Sequence, residues 1–142
     1  MTLAQQLDKA IAIAIKAHDG QTDINGQPYI GHPFRVMNAG QTLQEKIVGI
    51  LHDVVEDSHW SIEDLENEGF CPSVLNGVDA MTKRDDETYE TYLNRVRTNP
   101  LAVRVKLNDL TDNMDIRRLN ELTDKDITRM RKYLNAYKQL TV

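Results

Sequence analysis

The stretch Thr42–Asp57, TLQEKIVGILHDVVED, decides the fold class. Thr42 stands three residues before Glu45, the spacing at which a hydroxyl and an acid cap a helix start reciprocally. Ile47, Val48, Ile50, Leu51, Val54 and Val55 then leave almost no polar side, and a helix apolar all round is a buried one. The pattern predicts a core helix through Asp57 around which others must pack. The same punctuation recurs at Thr2 with Gln5, Ser61 with Asp64 and Thr123 with Asp126. Thr2 opens a helix whose apolar positions Leu3, Leu7, Ala10, Ile11, Ala14 and Ile15 follow a 3.6-residue stripe.

Further along, Gly69 stops the short helix begun at Ser61, and Pro72 starts the next. Glu87–Thr98 reads as helix, and Asn99-Pro100 can cap and begin another. Leu101, Val103, Val105 and Leu107 alternate as a strand would, but Val103, Leu107, Leu110 and Met114 keep helical spacing, which favours helix. Asp124–Leu140 closes the chain. Pro33 begins a short helix with His32 at its N-cap. Asn25-Gly26 lies within the polar loop Gly20–Gly31 rather than between alternating runs, so it marks no hairpin. The expected architecture is an all-α bundle of about six or seven helices, with residues 1–142 forming a single domain.

Composition narrows the function. Apolar residues make up 40% and charged residues 27%, enough for a core. Seventeen Lys and Arg against 22 Asp and Glu give a net charge of −5, which argues against nucleic acid as a partner. An acidic chain can still bind a small anion through a local basic cluster or a metal. The single Cys71 supports neither a disulfide scaffold nor a cysteine zinc site. The apolar run Ala10–Ile15 is too short to span a bilayer and lacks a signal-peptide layout, so a soluble, cytoplasmic protein with no membrane partner is expected.

His52, Asp53, Glu56 and Asp57 interrupt the most apolar helix. His52 stacks with Glu56 and Asp53 with Asp57, one turn apart. Either these residues are solvated at a helix end, or salt bridges or a metal compensate them, because a buried unpaired charge costs several kcal/mol. A second polar stripe, Lys106, Asp109, Asn113 and Arg117 after Ala102, shares one helical face. It is either a solvated face or an acidic ligand, Asp109, flanked by contacts for an anion. His32, in Tyr29-Ile30-Gly31-His32-Pro33, is either structural or a ligand, and His18, at the end of the first helix, is either a cap or a support for the site.

Tyr29-Ile30-Gly31-His32-Pro33, Leu51-His52-Asp53-Val54-Val55-Glu56-Asp57 and Lys106-Leu107-Asn108-Asp109 through Asn113-Met114 together resemble the ordered motifs of HD-superfamily phosphohydrolases. The resemblance is to the RelA/SpoT hydrolase domain and the stand-alone small alarmone hydrolases, and it spans roughly Ala10 to Leu119. It implies an all-α HD domain that hydrolyses the 3′-pyrophosphate of (p)ppGpp, generally with Mn²⁺. It also implies His32, His52, Asp53 and Asp109 as metal ligands, Glu56 and Asp57 as the groups that orient and deprotonate water, and Asn113 as a substrate contact. Lys16, Lys83, Arg84 and Lys106 are candidate contacts for an anionic substrate, a small nucleotide or phosphate ester. Where the family carries an Arg-Lys pair and, later, Arg-Thr, this chain has Asp23-Ile24 and Asp115-Ile116. A different nucleotide, another phosphate ester, or a catalytically silent binding module are therefore the alternatives. With the chain ending at Val142, hydrolysis without synthesis is expected. Nothing in the sequence fixes an oligomeric state.

Overall fold

Every regular element of the computed structural model, which describes residues 1–142, is helical. In chain order these are α1 (Leu3–Ala17), α2 (Gly31–Ala39), α3 (Leu43–Leu51), α4 (Val54–Asp57), α5 (Ile62–Asn67), α6 (Pro72–Met81), α7 (Tyr89–Arg97), α8 (Pro100–Asn113) and α9 (Asp124–Leu140). A 3₁₀ turn at Ile116–Arg118 joins α8 to α9, and an isolated bridge from Thr22 to Pro28 pinches the loop after α1. No helix is long and apolar enough to cross a membrane.

The hub is α3. Ile47, Val48, Ile50 and Leu51 have no solvent exposure, and α3 packs against α1, α2, α6 and α8. Full burial of each such side chain contributes about 1.5–3 kcal/mol, and 24 buried apolar residues join in one cluster. Gly49 sets the distance between α3 and α2. A Cβ there would stand 3.1 Å from the backbone N and Cα of Met37, so glycine is what lets the two axes close.

The bundle is all-α as expected, with more and shorter helices. The expected helix through Asp57 divides at His52 and Asp53. His52 Nδ1 takes the Gly49 carbonyl at 2.6 Å, the acceptor that a continuing helix would offer to the Asp53 N–H. Asp53 (φ −105°, ψ 0°) then begins α4. His32 is not an N-cap either. Gly31 N–H reaches Pro28 and His32 N–H reaches Tyr29, so α2 starts earlier and buries His32 in its first turn. Pro33 is tolerated there because a first-turn N–H has no helical partner to lose.

The capping boxes at Thr2, Ser61 and Thr123 are complete. Thr42 caps the Glu45 N–H at 3.1 Å, but the Glu45 carboxylate does not reciprocate; it is buried, 3.7 Å from Arg104. Gly69 (φ +98°) ends α5 in the left-handed conformation glycine adopts without strain. Glu87 stays outside α7, held by both terminal nitrogens of Arg95 and by the Arg84 N–H, while Thr88 caps the helix.

Candidate functional site

Three helices deliver one cluster. α2 supplies His32, the α3–α4 break supplies His52 and Asp53, and α8 supplies Asp109. One ligand atom from each of His32, His52 and Asp109 lies within 4.8 Å of the others. Asp109 Oδ1 is 2.8 Å from His32 Nε2 and 3.3 Å from His52 Nε2; Asp53 Oδ2 is 2.9 Å from His52 Nε2 and 3.9 Å from His32 Nε2. The break in the helix matters here. It lets two consecutive residues, His52 and Asp53, turn toward one point.

Outer contacts fix the donors. His52 Nδ1 donates to the Gly49 carbonyl, which leaves Nε2 to face the carboxylates. That Nε2 is buried, and although Asp53 Oδ2 lies 2.9 Å away, the alignment is not that of a hydrogen bond. A neutral imidazole would direct a lone pair at anionic oxygens, so the cluster needs either a proton or a cation at its centre. His32 Nδ1 meets Asp112 Oδ2 at 2.6 Å, a carboxylate–histidine pairing that orients the other ring nitrogen toward the cluster. Asp112 is held in turn by Arg35 at 2.8 Å and Arg118 at 2.9 Å. The Tyr29 hydroxyl donates to Asp53. Burial, then the Asp53 charge, pushes the Tyr29 phenol up, so it remains a donor.

The charges agree with this geometry. Burial opposes ionisation of Asp109, yet Lys106 at 2.8 Å and then His52 hold its carboxyl well below the ordinary value. Burial opposes charge on His52 and His32, but the carboxylates outweigh it and raise both imidazoles. Two imidazoles and two carboxylates form a mixed nitrogen–oxygen donor set suited to a divalent cation.

A cavity of about 240 Å³ adjoins the cluster. Tyr29, His32 and Asn113 form its inner wall, Ile24, Leu119, Met130 and Tyr133 its apolar sides, and Asp23, Arg118 and Arg129 supply charge.

The chain is 30% identical to a GTP pyrophosphokinase of Streptomyces coelicolor over 96% of its length. It is 35% identical to the guanosine-3′,5′-bis(diphosphate) 3′-pyrophosphohydrolase of Haemophilus influenzae over 72%, and 31% identical to the bifunctional (p)ppGpp synthase/hydrolase SpoT of Escherichia coli over 78%. The chain is RelA/SpoT-like. It spans 17–18% of the length of these relatives. A solved structure of a metazoan SpoT ortholog that hydrolyses ppGpp superposes with a TM-score of 0.76 at 22% identity, covering 95% of this chain and 84% of that one, which establishes the shared fold. No family model matches the chain.

The remaining expected residues of this RelA/SpoT-like chain fall into two groups. Glu56 and Asp57 follow on α4 beside the cluster, solvent-accessible, with both carboxyls pushed up first by desolvation and then by Asp53. Gln21 donates to the Asp57 carbonyl at 3.0 Å, and its Oε1 accepts from His18 Nδ1 at 2.9 Å, which makes His18 a support for this segment. Asn113 donates to Asp109 at 3.1 Å and lines the cavity; Lys106 is buried against Asp109. Lys83 shares a groove with Glu56.

Other residues are not brought to the cluster. Arg84 lines the Glu56 groove, but its guanidinium is spent on the Asp79 carboxylate and the Asp79 and Thr82 carbonyls, tying off the end of α6. Lys16 is exposed in the last turn of α1, without an ion pair or hydrogen bond through its ammonium, and does not line the cavity. Arg117 leaves the shared face because α8 ends at Asn113; it pairs with Asp115 in solvent.

Sequence reasoning missed Asp112 and the role of Arg118 in holding it. Asp112 carries a visible signal, its three-residue spacing from Asp109 on one helix, but its partner His32 lies 80 residues away. Arg118 contacts both Asp112 and Asp23 and had no distinguishing neighbourhood in sequence.

Proposed function

We propose that residues 1–142 act as one metal-dependent phosphohydrolase domain that releases pyrophosphate from the 3′ position of (p)ppGpp. The observation that carries the proposal is the buried His52 Nε2, without a hydrogen bond, set among His32, Asp53 and Asp109. Likeness to the Haemophilus influenzae pyrophosphohydrolase supports the choice of substrate. His32, His52, Asp53 and Asp109 would hold the ion, with Mn²⁺ as the proposed occupant of this mixed donor set. A bound divalent ion lowers the pKa of water and offsets charge on phosphoryl oxygens.

Glu56 and Asp57 then orient the attacking water and take its proton. Their raised carboxyl pKa values bring them toward the range in which a carboxylate is an effective base. The water oxygen bonds to the phosphorus nearest the ribose as the bond from that phosphorus to the 3′ oxygen breaks. The 3′ oxygen gains a proton and pyrophosphate leaves. Tyr29 keeps Asp53 in place, Lys106 and Asn113 do the same for Asp109, and the Asn113 amide faces the cavity where substrate would lie. Such a substrate is a small cytoplasmic nucleotide, so the domain would work in the cytoplasm.

A second substrate, another nucleotide or a small phosphate ester, is favoured by one observation: acidic Asp23 and apolar Ile24 line the cavity. The deciding experiment is pyrophosphate release from ppGpp by the Mn²⁺-loaded chain, with Asp53→Ala as the blank. Release that the variant abolishes supports the proposal. No release from a chain shown to hold Mn²⁺ overturns the substrate, and a panel of phosphate esters on the same sample identifies the replacement.

A further inference from the structure

Gln21, in the loop that follows α1, is the point at which three segments around the candidate site are tied together. Its N–H donates to the His18 carbonyl at 3.0 Å, and its carbonyl accepts the Tyr29 N–H at 2.9 Å. Its side-chain amide donates to the Ala17 carbonyl at 3.3 Å and to the Asp57 carbonyl at 3.0 Å. With both amide hydrogens committed, Oε1 is the atom left to face His18 Nδ1 at 2.9 Å, which fixes that nitrogen as the donor. His18 is 2% exposed and its ring centre lies 5.0 Å from that of Tyr29, so the imidazole that orients the amide is itself held. Every polar atom of Gln21 is engaged. The links run to the end of α1, to Tyr29 ahead of α2, and to the end of α4.

The link to α4 carries the chemical consequence. α4 is four residues long, and a single helical turn does not hold itself together in water. Val54 is its one buried residue, while Glu56 and Asp57 are exposed, so packing does little to place their carboxyls. Its own bonds are few: the Asp57 N–H reaches the Asp53 carbonyl, and the Ser58 hydroxyl reaches the Val54 carbonyl. The Asp57 carbonyl is one of the terminal carbonyls a helix cannot satisfy internally, and it accepts from Gln21, 36 positions earlier. α4 also packs against α1, whose end carries His18. The Gln21 side chain bonds Ala17, His18 and Asp57 and makes no hydrogen bond to any of the four proposed metal ligands.

We infer that Gln21, oriented by His18, is a positioning residue for the proposed hydrolysis, acting through the main chain of α4 on Glu56 and Asp57 and not on the metal ligands. The inference rests on the hydrolase function proposed above. It assigns to the Gln21–His18 pair an effect on kcat, separate from substrate and metal affinity.

The test uses Gln21→Met, which keeps the length of the side chain and removes its donors and acceptor. Gln21→Glu, which keeps an acceptor for His18 but offers no donor to Asp57, is the second variant. Trp60, the single tryptophan, reports on the end of α4, because its N–H donates to the Ser58 hydroxyl that bonds Val54. Acrylamide quenching of Trp60 fluorescence in the full chain, without added metal, should rise in both variants. With Mn²⁺ and ppGpp, kcat should fall by about tenfold to a hundredfold, the scale on which a small misplacement of reacting groups acts. KM and Mn²⁺ affinity should stay parental, the mark of an interaction that bears on the transition state alone. His18→Asn, whose amide can donate to Gln21 from the place of Nδ1, should recover most of the turnover that His18→Leu loses. Parental quenching or parental kcat in Gln21→Met overturns the inference, and so does a fall in kcat matched by an equal loss of Mn²⁺ affinity. Raised quenching in Gln21→Met of a chain that releases nothing from ppGpp upholds the hold on α4 and removes the hydrolase function instead.

Discussion

Asp112→Asn is the most informative single change, because Asp112 touches the candidate metal centre only through His32. Its Oδ2 lies 2.6 Å from His32 Nδ1, and the side chain is 11% exposed. The substitution keeps the shape and removes the charge that makes His32 a stronger donor. Outer carboxylates of this type contribute about 10–100-fold to metal affinity. Here Arg35 and Arg118 already draw on the same carboxylate, at 2.8 and 2.9 Å, so the effect belongs in the lower part of that range. Mn²⁺ affinity, measured by calorimetry or chelator competition, should fall about tenfold, or about 1.4 kcal/mol. Arg35→Gln is the matched control. The Arg35 side chain is 46% exposed, and exposed pairs contribute about 0–1 kcal/mol, so its loss should cost less than about fivefold. Mn²⁺ affinity of Asp112→Asn equal to that of the parent, with helicity unchanged, would refute the role given to the His32–Asp112 contact.

Glu56→Gln should leave Mn²⁺ bound and lower turnover by about 10²-fold or more, the scale of lost acid–base assistance; near-parental turnover removes Glu56 from the reaction. The pH dependence of the metal-free chain follows from His32 and His52, whose imidazoles are raised in the fold. Their stabilising contribution is complete below the unfolded value of about 6.5 and is lost as pH rises through the folded values. Mn²⁺ needs the neutral rings, so its affinity should rise over the same interval with release of protons, seen as a buffer-dependent binding enthalpy; proton-independent binding at every pH contradicts this. Gly49→Ala should lower stability by about 1–3 kcal/mol, because a methyl group 3.1 Å from the Met37 backbone must push α2 from α3; an unchanged melting temperature would show that the interface gives freely. Asp23→Asn should change the KM for ppGpp by less than about threefold, since Arg118 and two backbone N–H groups already offset its charge. A tenfold fall in KM would show that Asp23 repels the substrate.

What the sequence made legible was local. The starts of α1, α5 and α9 follow from hydroxyl–acid or hydroxyl–amide boxes contained within four residues, and these formed as read. The box at Thr42 formed only in half, because Glu45 is buried and faces Arg104, a partner 59 positions away that no local pattern announces. The break after Leu51 was hidden for a similar reason. TLQEKIVGILHDVVED carries no proline and no capping glycine at His52, and the interruption comes from an imidazole competing for a main-chain carbonyl.

The site divides in the same way. Periodicity alone put Lys106, Asp109 and Asn113 on one face of α8, and all three meet at the Asp109 carboxylate. Joining Asp109 to His32, 77 positions earlier, required the ordered motifs of a family rather than any spacing. Asp112 escaped, and so did the part Arg118 plays in holding it, because both depend entirely on what these residues touch.

The substitution of Asp23-Ile24 for a basic pair looked like the strongest sequence argument for a different substrate, and the geometry weakens it. Asp23 does not stand as a free negative charge on the cavity wall. Its Oδ1 accepts the Asn25 and Gln27 N–H groups at 2.8 and 3.0 Å, closing the loop on itself, and its Oδ2 lies 3.5 Å from Arg118. Although burial opposes its ionisation, these contacts hold the carboxyl below its ordinary value, so the charge is present but locally answered. Arg118 in turn bonds Asp112, which bonds His32. The loop at residue 23 is thereby tied to the outer contacts of the candidate metal centre by one guanidinium, and the acid serves the construction of the site rather than the exclusion of an anion. Other positive charge on the cavity wall comes from Arg118 itself and from Arg129, the latter paired with Asp126. A reading of residues 23 and 24 alone could not locate it, because it comes from the turn after α8 and from α9, more than 90 positions further along the chain.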